Sequence, residues 1–195
     1  IATLEALGCR YIQIDDPLLS YFIGEHMRAQ VRAEGEEPEA RLAMYLALIN
    51  ACIAGRGPET RIGIHICRGN ARSGWMVEGG YEKIAEAAFG TLAVDSFFLE
   101  YDDARSGDFA PLRFIPKGRH VVLGLITTKF PELEKPADLR RRIDEASRYV
   151  PLENLSVSPQ CGFASSWEGN LITEDIQWAK LKLVVETARA VWGSA

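Results

Sequence analysis

The sequence predicts an α/β fold, a (β/α)8 TIM barrel of which this chain supplies the last five β/α units. Three observations lead there. Five short segments rich in β-branched and aromatic residues alternate with longer segments of helical periodicity. The strand-like segments are apolar almost throughout, the pattern of a parallel sheet covered by helices. Polar groups gather at the C-terminal end of each strand, the rim where parallel α/β folds place their sites. A doubly wound sheet also fits, but no glycine-rich phosphate loop follows any strand, which weakens its nucleotide-binding form. A complete barrel takes about 250 residues, so five units in 195 residues suit a portion of one. The chain opens on IATLEALGCRY, which reads as mid-helix, and we expect a piece of a longer protein, organised as a single domain over 1–195.

The first strand is YIQID (11–15), followed by Asp16-Pro17. Residues 17–37, with Pro17 and the acidic run EGEE at 34–37, read as a surface excursion. PEARLAMYLALINACIAG (38–55) places apolar residues at helical spacing and stops at Gly55. RIGIHIC (61–67) is the second strand, and YEKIAEAAFG (81–90) is a helix closed by Gly90. SFFLEY (96–101) and HVVLGLIT (120–127) are the third and fourth strands. PADLRRRIDEASRYV (136–150) is a helix that begins at Pro136 and halts before Pro151. LSVSPQC (155–161) is the fifth strand. ITEDIQWAKLKLVVETARAVWG (172–193) is the last helix, with Thr173 as N-cap and Glu174 and Asp175 near its positive end.

With 22 Lys and Arg against 27 Asp and Glu, the net charge is −5, and the cations are scattered. That argues against nucleic acid or an anionic membrane as the main partner. No apolar run approaches the roughly 20 residues of a membrane helix. The four cysteines, Cys9, Cys52, Cys67 and Cys161, are irregularly placed, so a disulfide framework is not expected and a reducing cytoplasm is. The sequence leaves room for a homo-oligomer.

The chemistry sits at the strand ends. His65 and Cys67 are two apart in a strand, so they share a face and can address one ion. Alone, the pair fits a packed core better than a metal site. Glu100 ends the next strand and Cys161 the fifth, and two thiolates, an imidazole and a carboxylate make a coherent Zn2+ set. An oxygen-only magnesium site of Asp15, Glu100 and Asp102 is the alternative from a different class. Cys9 and Cys52 lie in helical segments and read as core. His26 reads as a surface loop and His120 as a strand start at the opposite end. Asp15 and Asp16 either bind a cationic group or cap the following turn. Arg68 and Arg105 either hold a carboxylate or make surface salt bridges. Asp102-Asp103 reads as a solvated loop.

Taken in order, IQIDDP, HICRGN, FFLEYDDARSGDF, VVLGLITTK and SPQCGFASS resemble the catalytic barrel of the cobalamin-independent methionine synthase family, more closely its shorter single-barrel prokaryotic members. The resemblance implies a TIM barrel, one Zn2+, and transfer of a methyl group to the thiol of homocysteine, giving methionine. It puts the metal on His65, Cys67, Glu100 and Cys161, and the substrate's ammonium on Asp15. Asp16 replaces the glutamate of the family's Ile-Asp-Glu-Pro, and Arg68-Gly69-Asn70 replaces its Asn-Phe after the metal pair. Asp15, Asp16, Arg68 and Asn70 are therefore the candidate substrate-binding residues. Lys129 stands where long-form enzymes carry a proton-donating histidine, which makes it the candidate catalytic residue. The partners implied are homocysteine and a methyl donor, either methylfolate or a methyl-corrinoid protein. A related thiol methyl- or alkyltransferase acting on another thiol shares the metal set. Two thiolates and a carboxylate outweigh a divalent charge, so such a centre favours nucleophilic sulfur over activation of water.

Overall fold

Five strands and seven α-helices form among residues 1–193, the residues that the computed structural model describes. They run α1 (Ala2–Ala6), β1 (Tyr11–Asp15), α2 (Leu18–Tyr21), α3 (Glu25–Ala33), α4 (Pro38–Ile53), β2 (Arg61–Ile66), α5 (Glu82–Thr91), β3 (Ser96–Glu100), β4 (His120–Ile126), α6 (Pro136–Ala146), β5 (Leu155–Pro159) and α7 (Glu174–Trp192). The strands pair in the order β1-β2-β3-β4-β5, all parallel. A doubly wound sheet reverses its strand order at a switch point. Strictly sequential order is that of a barrel wall.

The two faces of the sheet differ as strand periodicity requires. Ile62, Ile64 and Ile66 of β2, Phe97 and Leu99 of β3, and Val121 and Leu123 of β4 are buried in one apolar core. The alternate positions form the inner face. Register aligns Gln13 with Gly63, Asp15 with His65, and His65 with Phe98. It also aligns Glu100 with Gly124, and Gly124 with Ser158. All these strands end at one rim, so the polar strand ends meet there.

The helices cover the other face by ordinary amphipathic spacing. Leu42, Leu46, Ile49 and Ile53 of α4 are buried, as are Leu139, Ile143 and Ala146 of α6. Each large side chain so removed from water contributes about 1.5–3 kcal/mol. Pro38 and Pro136 sit in the first turn, where a missing N–H leaves no hydrogen bond unmade. Thr173 caps α7 as expected, its Oγ1 accepting from the Ile176 N–H at 3.4 Å.

Several expectations need correction. Residues 17–37 are not a surface excursion: they fold as α2 and α3 and contribute Leu19, Phe22, Ile23 and Val31 to the core. Asp16 starts α2, its Oδ1 accepting from Leu18 N at 3.1 Å and Leu19 N at 3.3 Å. Only the acidic tail stays outside, where Glu34 and Glu36 pair with Arg41. Helix α6 stops at Ala146, short of the expected 150. Cys52 is exposed and Cys9 half-buried, so neither is core. His26 is exposed but helical, on α3. His120 does begin β4, its Nε2 2.7 Å from Ser156 Oγ. No helix among the described residues is long and apolar enough to cross a membrane.

Candidate metal centre and adjoining cleft

Three sequence-selected donors converge at the rim. The ligand atoms of His65, Cys67 and Cys161 all lie within 4.8 Å of one another. His65 is the penultimate residue of β2 and Cys67 follows it, so the strand's own alternation aims both the same way. Cys161 comes from across the sheet. Between Gly124 and Ile126 the β4–β5 register slips by a bulge, and Gln160 N bonds to Ile126 O at 2.8 Å. Bulges re-aim the side chains beside them. Gly124 makes the crossing feasible, because a Cβ there would stand 2.7 Å from Gln160 Cα and 2.8 Å from Leu99 O.

Within the trio, Cys161 Sγ is 3.5 Å from His65 Nε2 and 3.4 Å from Ser165 Oγ. Contact with Cys67, helped by His65 and Ser165, holds the Cys161 thiol below its ordinary value. The same contact and burial push the Cys67 thiol up. Soft sulfur plus imidazole, three donors within reach of one centre, is the chemistry of a zinc site with a position left for a further ligand.

Glu100 lies outside this trio. Its buried carboxylate is held at both oxygens: Oε2 accepts from Arg68 N at 2.8 Å, and Oε1 accepts from Arg105 Nη1 at 2.7 Å. Lys129 Nζ is 3.8 Å from the same Oε1. Arg105 also bonds to Asp102 and Asp103, so it is a buried ion-pair hub rather than a surface salt bridge. Asp102 is correspondingly buried and not part of a solvated loop, and its burial pushes its carboxyl up. The oxygen-only magnesium set is not gathered: the His65–Cys67–Cys161 trio is the cluster of metal-ligating side chains found among the described residues.

The candidate substrate residues separate. Asp15, the register partner of His65, lines a cleft of about 340 Å³ together with Gln13, His65, Phe98, Gln160 and Cys161. Asp16 faces the turn it caps. Arg68 is fully buried and points away from the cleft, its guanidinium donating to the carbonyls of Gly79, Glu100 and Ser106 and stacking 4.2 Å from the Tyr81 ring centroid. It braces β2 against β3. Asn70 ties loops together, its Nδ2 donating to Gly162 O at 2.8 Å and Ser165 Oγ at 3.0 Å. Lys129 is buried, and its Nζ has no hydrogen-bond partner. The sequence reading missed Ser165 and Gln160. Ser165 stands four residues after Cys161 in an irregular loop, where no periodicity marks it.

Residues 1–189 match the family described as cobalamin-independent synthase, catalytic domain. The chain belongs to that family. As a member of the cobalamin-independent synthase family, it is 52% identical over 186 residues to the uncharacterized protein YxjH of Bacillus subtilis, covering 95% of this chain and 49% of the relative. It is 26% identical over 193 residues to the methionine synthase of Pyrococcus abyssi, covering 98% of this chain and 46% of that protein. The chain thus spans about half the length of these relatives. Among solved structures, a candidate vitamin-B12-independent methionine synthase from Listeria monocytogenes superposes with a TM-score of 0.76 at 39% identity, over all of this chain and 52% of that one. A B12-independent methionine synthase from Shewanella, solved with selenomethionine, gives a TM-score of 0.70 at 19% identity and shares the fold, over 97% of this chain and 50% of that one. The five units of this family member are part of a TIM barrel of that kind.

Proposed function

We propose that this chain carries the thiol-activating centre of a zinc-dependent methyltransferase that converts homocysteine to methionine. The observation that carries the reading is the His65–Cys67–Cys161 trio, opening beside a cleft that contains Asp15. His65, Cys67 and Cys161 would hold Zn2+, with Glu100 the nearby carboxylate. Zinc there would keep the substrate sulfur as thiolate at neutral pH, where a free thiol is mostly protonated.

The rest of the work falls to the chain's own groups. Asp15 takes the substrate's ammonium and fixes the approach of its sulfur. The sulfur–carbon bond forms as the bond between the methyl carbon and the donor breaks, in line. The electron pair left on the donor takes a proton, for which Lys129 Nζ, buried and without a hydrogen-bond partner, is the candidate source.

The burial of Lys129 Nζ, 3.8 Å from Glu100 Oε1, favours a second reading in which the methyl donor is a methyl-corrinoid protein, whose cobalt keeps the electron pair and needs no proton. Metal analysis of the full-length protein, with methyl transfer to homocysteine assayed side by side from methylfolate and methylcobalamin, tests both. About one zinc per chain and transfer from either donor is the expected result. Protein that takes up no zinc on reconstitution refutes the reading.

A further inference from the structure

The two cysteines of the trio stand in different surroundings. Cys67 is sealed, at 4% exposure. Cys161 is half-buried and lines the cleft with Asp15, His65 and Ser165. A methyl group delivered to a thiolate in that cleft also meets the Cys161 sulfur. Methylation there would turn a thiolate donor into a neutral thioether and disable the centre. Transfer to substrate requires Cys161 to be the poorer nucleophile of the two.

The hydrogen bonds around Cys161 supply the means, and their polarity is fixed. Asn70 Nδ2 lies 2.8 Å from Gly162 O, and a carbonyl can only accept, so the amino group of Asn70 is the atom facing it. The same Nδ2 donates to Ser165 Oγ at 3.0 Å. The Ser165 hydroxyl, with one lone pair so occupied, stands 3.4 Å from Cys161 Sγ. A metal-bound thiolate has no proton to give, so the hydroxyl proton is the one that fills this contact. The other acceptor within its reach, Gly162 O, is at 3.5 Å and already takes Asn70. Asn70 is buried at 8% exposure and follows the strand that carries His65, so the hydroxyl is turned from a fixed point.

We propose that Ser165 is a positioning residue that spares Cys161 from alkylation: its hydroxyl, oriented by Asn70, donates to the Cys161 sulfur and leaves the substrate thiolate the stronger nucleophile in the cleft. This rests on the thiol methyltransfer proposed above. A hydrogen bond to a thiolate stabilises its charge, and forming a sulfur–carbon bond removes that charge, so the bond slows attack by the sulfur it reaches. Cys67 is guarded by burial instead.

The test is methylation of the zinc-loaded full-length protein by methyl iodide, read at each cysteine by peptide mass spectrometry. The sulfur–methyl bond forms as iodide leaves. S165T keeps the hydroxyl and S165V has the same shape without it, so the pair separates the hydrogen bond from packing. Ser165 is exposed, which favours folding of both variants. Cys161 in S165V should be methylated about tenfold faster than in wild type or S165T, as expected for losing a hydrogen bond to a charged group. The exposed Cys52 should react equally in all three. Cobalt in place of zinc gives a reading independent of reagent access: the sulfur-to-cobalt charge-transfer band should move to lower energy in S165V and stay in place in S165T. An unmoved band in S165V, or equal Cys161 rates in S165V and S165T, overturns the assignment while leaving methyltransfer intact. A wild-type protein that takes up neither metal overturns the assignment together with the function it rests on.

Discussion

Arg105 Nη1 stands 2.7 Å from Glu100 Oε1, and the two side chains are 6% and 0% exposed. The same guanidinium reaches Asp102, whose side chain is equally sealed. Removing one partner of such a pair leaves a buried charge uncompensated. R105A should therefore lose about 3–5 kcal/mol of stability. Urea unfolding curves measure it, with R105K as the variant that keeps the charge and loses less. A midpoint unchanged in R105A would show that water reaches Glu100 freely.

The geometry ranks the candidate zinc donors. C67S and C161S should bind zinc far more weakly than wild type, because each removes one of the three gathered atoms. E100Q should retain more, since Glu100 is held by Arg105 and the Arg68 N–H and lies outside the trio. Zinc per chain after dialysis against a competing chelator gives the order, and E100Q emerging below C161S would contradict it.

Zinc uptake should also depend on pH with a definite sign. Burial opposes charge on His65, but the hydrogen bond to Cys161 and the negative field of Cys161, Asp15 and Glu100 outweigh it and raise the imidazole above 6.5. A raised value means that this proton stabilises the metal-free fold. The contribution is complete below the unfolded value and vanishes as pH climbs through the folded one. Cys161, being lowered, contributes in the opposite sense, above its unfolded value, and loses that contribution as pH falls. The Cys67 thiol, being raised, also holds its proton. Zinc must displace the protons on His65 and Cys67, so its apparent affinity should fall as pH drops through the raised imidazole value, with about one proton or more released per ion. Chelator competition at several pH values reads the slope, and a flat profile would exclude these two residues as ligands.

Lys129 offers a way to separate stability from chemistry. Its ammonium is buried without a hydrogen bond, 3.8 Å from Glu100. In K129M the Glu100 carboxylate keeps Arg105 and the Arg68 N–H as partners, so the variant should lose less stability than R105A. Methyl transfer should nonetheless fall by about a hundredfold or more. Parallel loss of both would assign Lys129 to the fold alone.

How much of this was legible before the fold was known depends on how local the cause is. The short apolar runs at 11–15, 61–66, 96–100, 120–126 and 155–159 mark the strands within two residues at either end, because enrichment in β-branched and aromatic residues is a property of the segment itself. The His65–Cys67 pair is likewise local. Residues 17–37 were misread because α2 spans only four residues, too short to show a period, and the acidic tail masks the apolar positions of α3. Arg68 follows Cys67 and looks like a rim cation, but sequence does not record which way a long side chain leaves a strand end, and here the carbonyls of Gly79 and Ser106 claim it. Asp102-Asp103 reads as solvated because two adjacent acids usually are; the arginine at position 105 was the clue to pairing. Gln160 carries no local signal, since Thr128, the residue that orients it, is 32 positions away.

Tyr81 lies fully buried and bonds both to the strand that carries His65 and to the one that carries Glu100. Its hydroxyl donates to Ile66 O at 2.6 Å and accepts from Glu100 N at 2.9 Å. A phenol thus replaces a rung of the β2–β3 ladder, and the residue supplying it is the N-cap of α5. Helix and seam are consequently one mechanical part: α5 cannot shift along the sheet without unzipping the wall at the strand that carries His65. In amide hydrogen exchange, the Glu100 N–H and the first turn of α5 should open together, as a single cooperative unit.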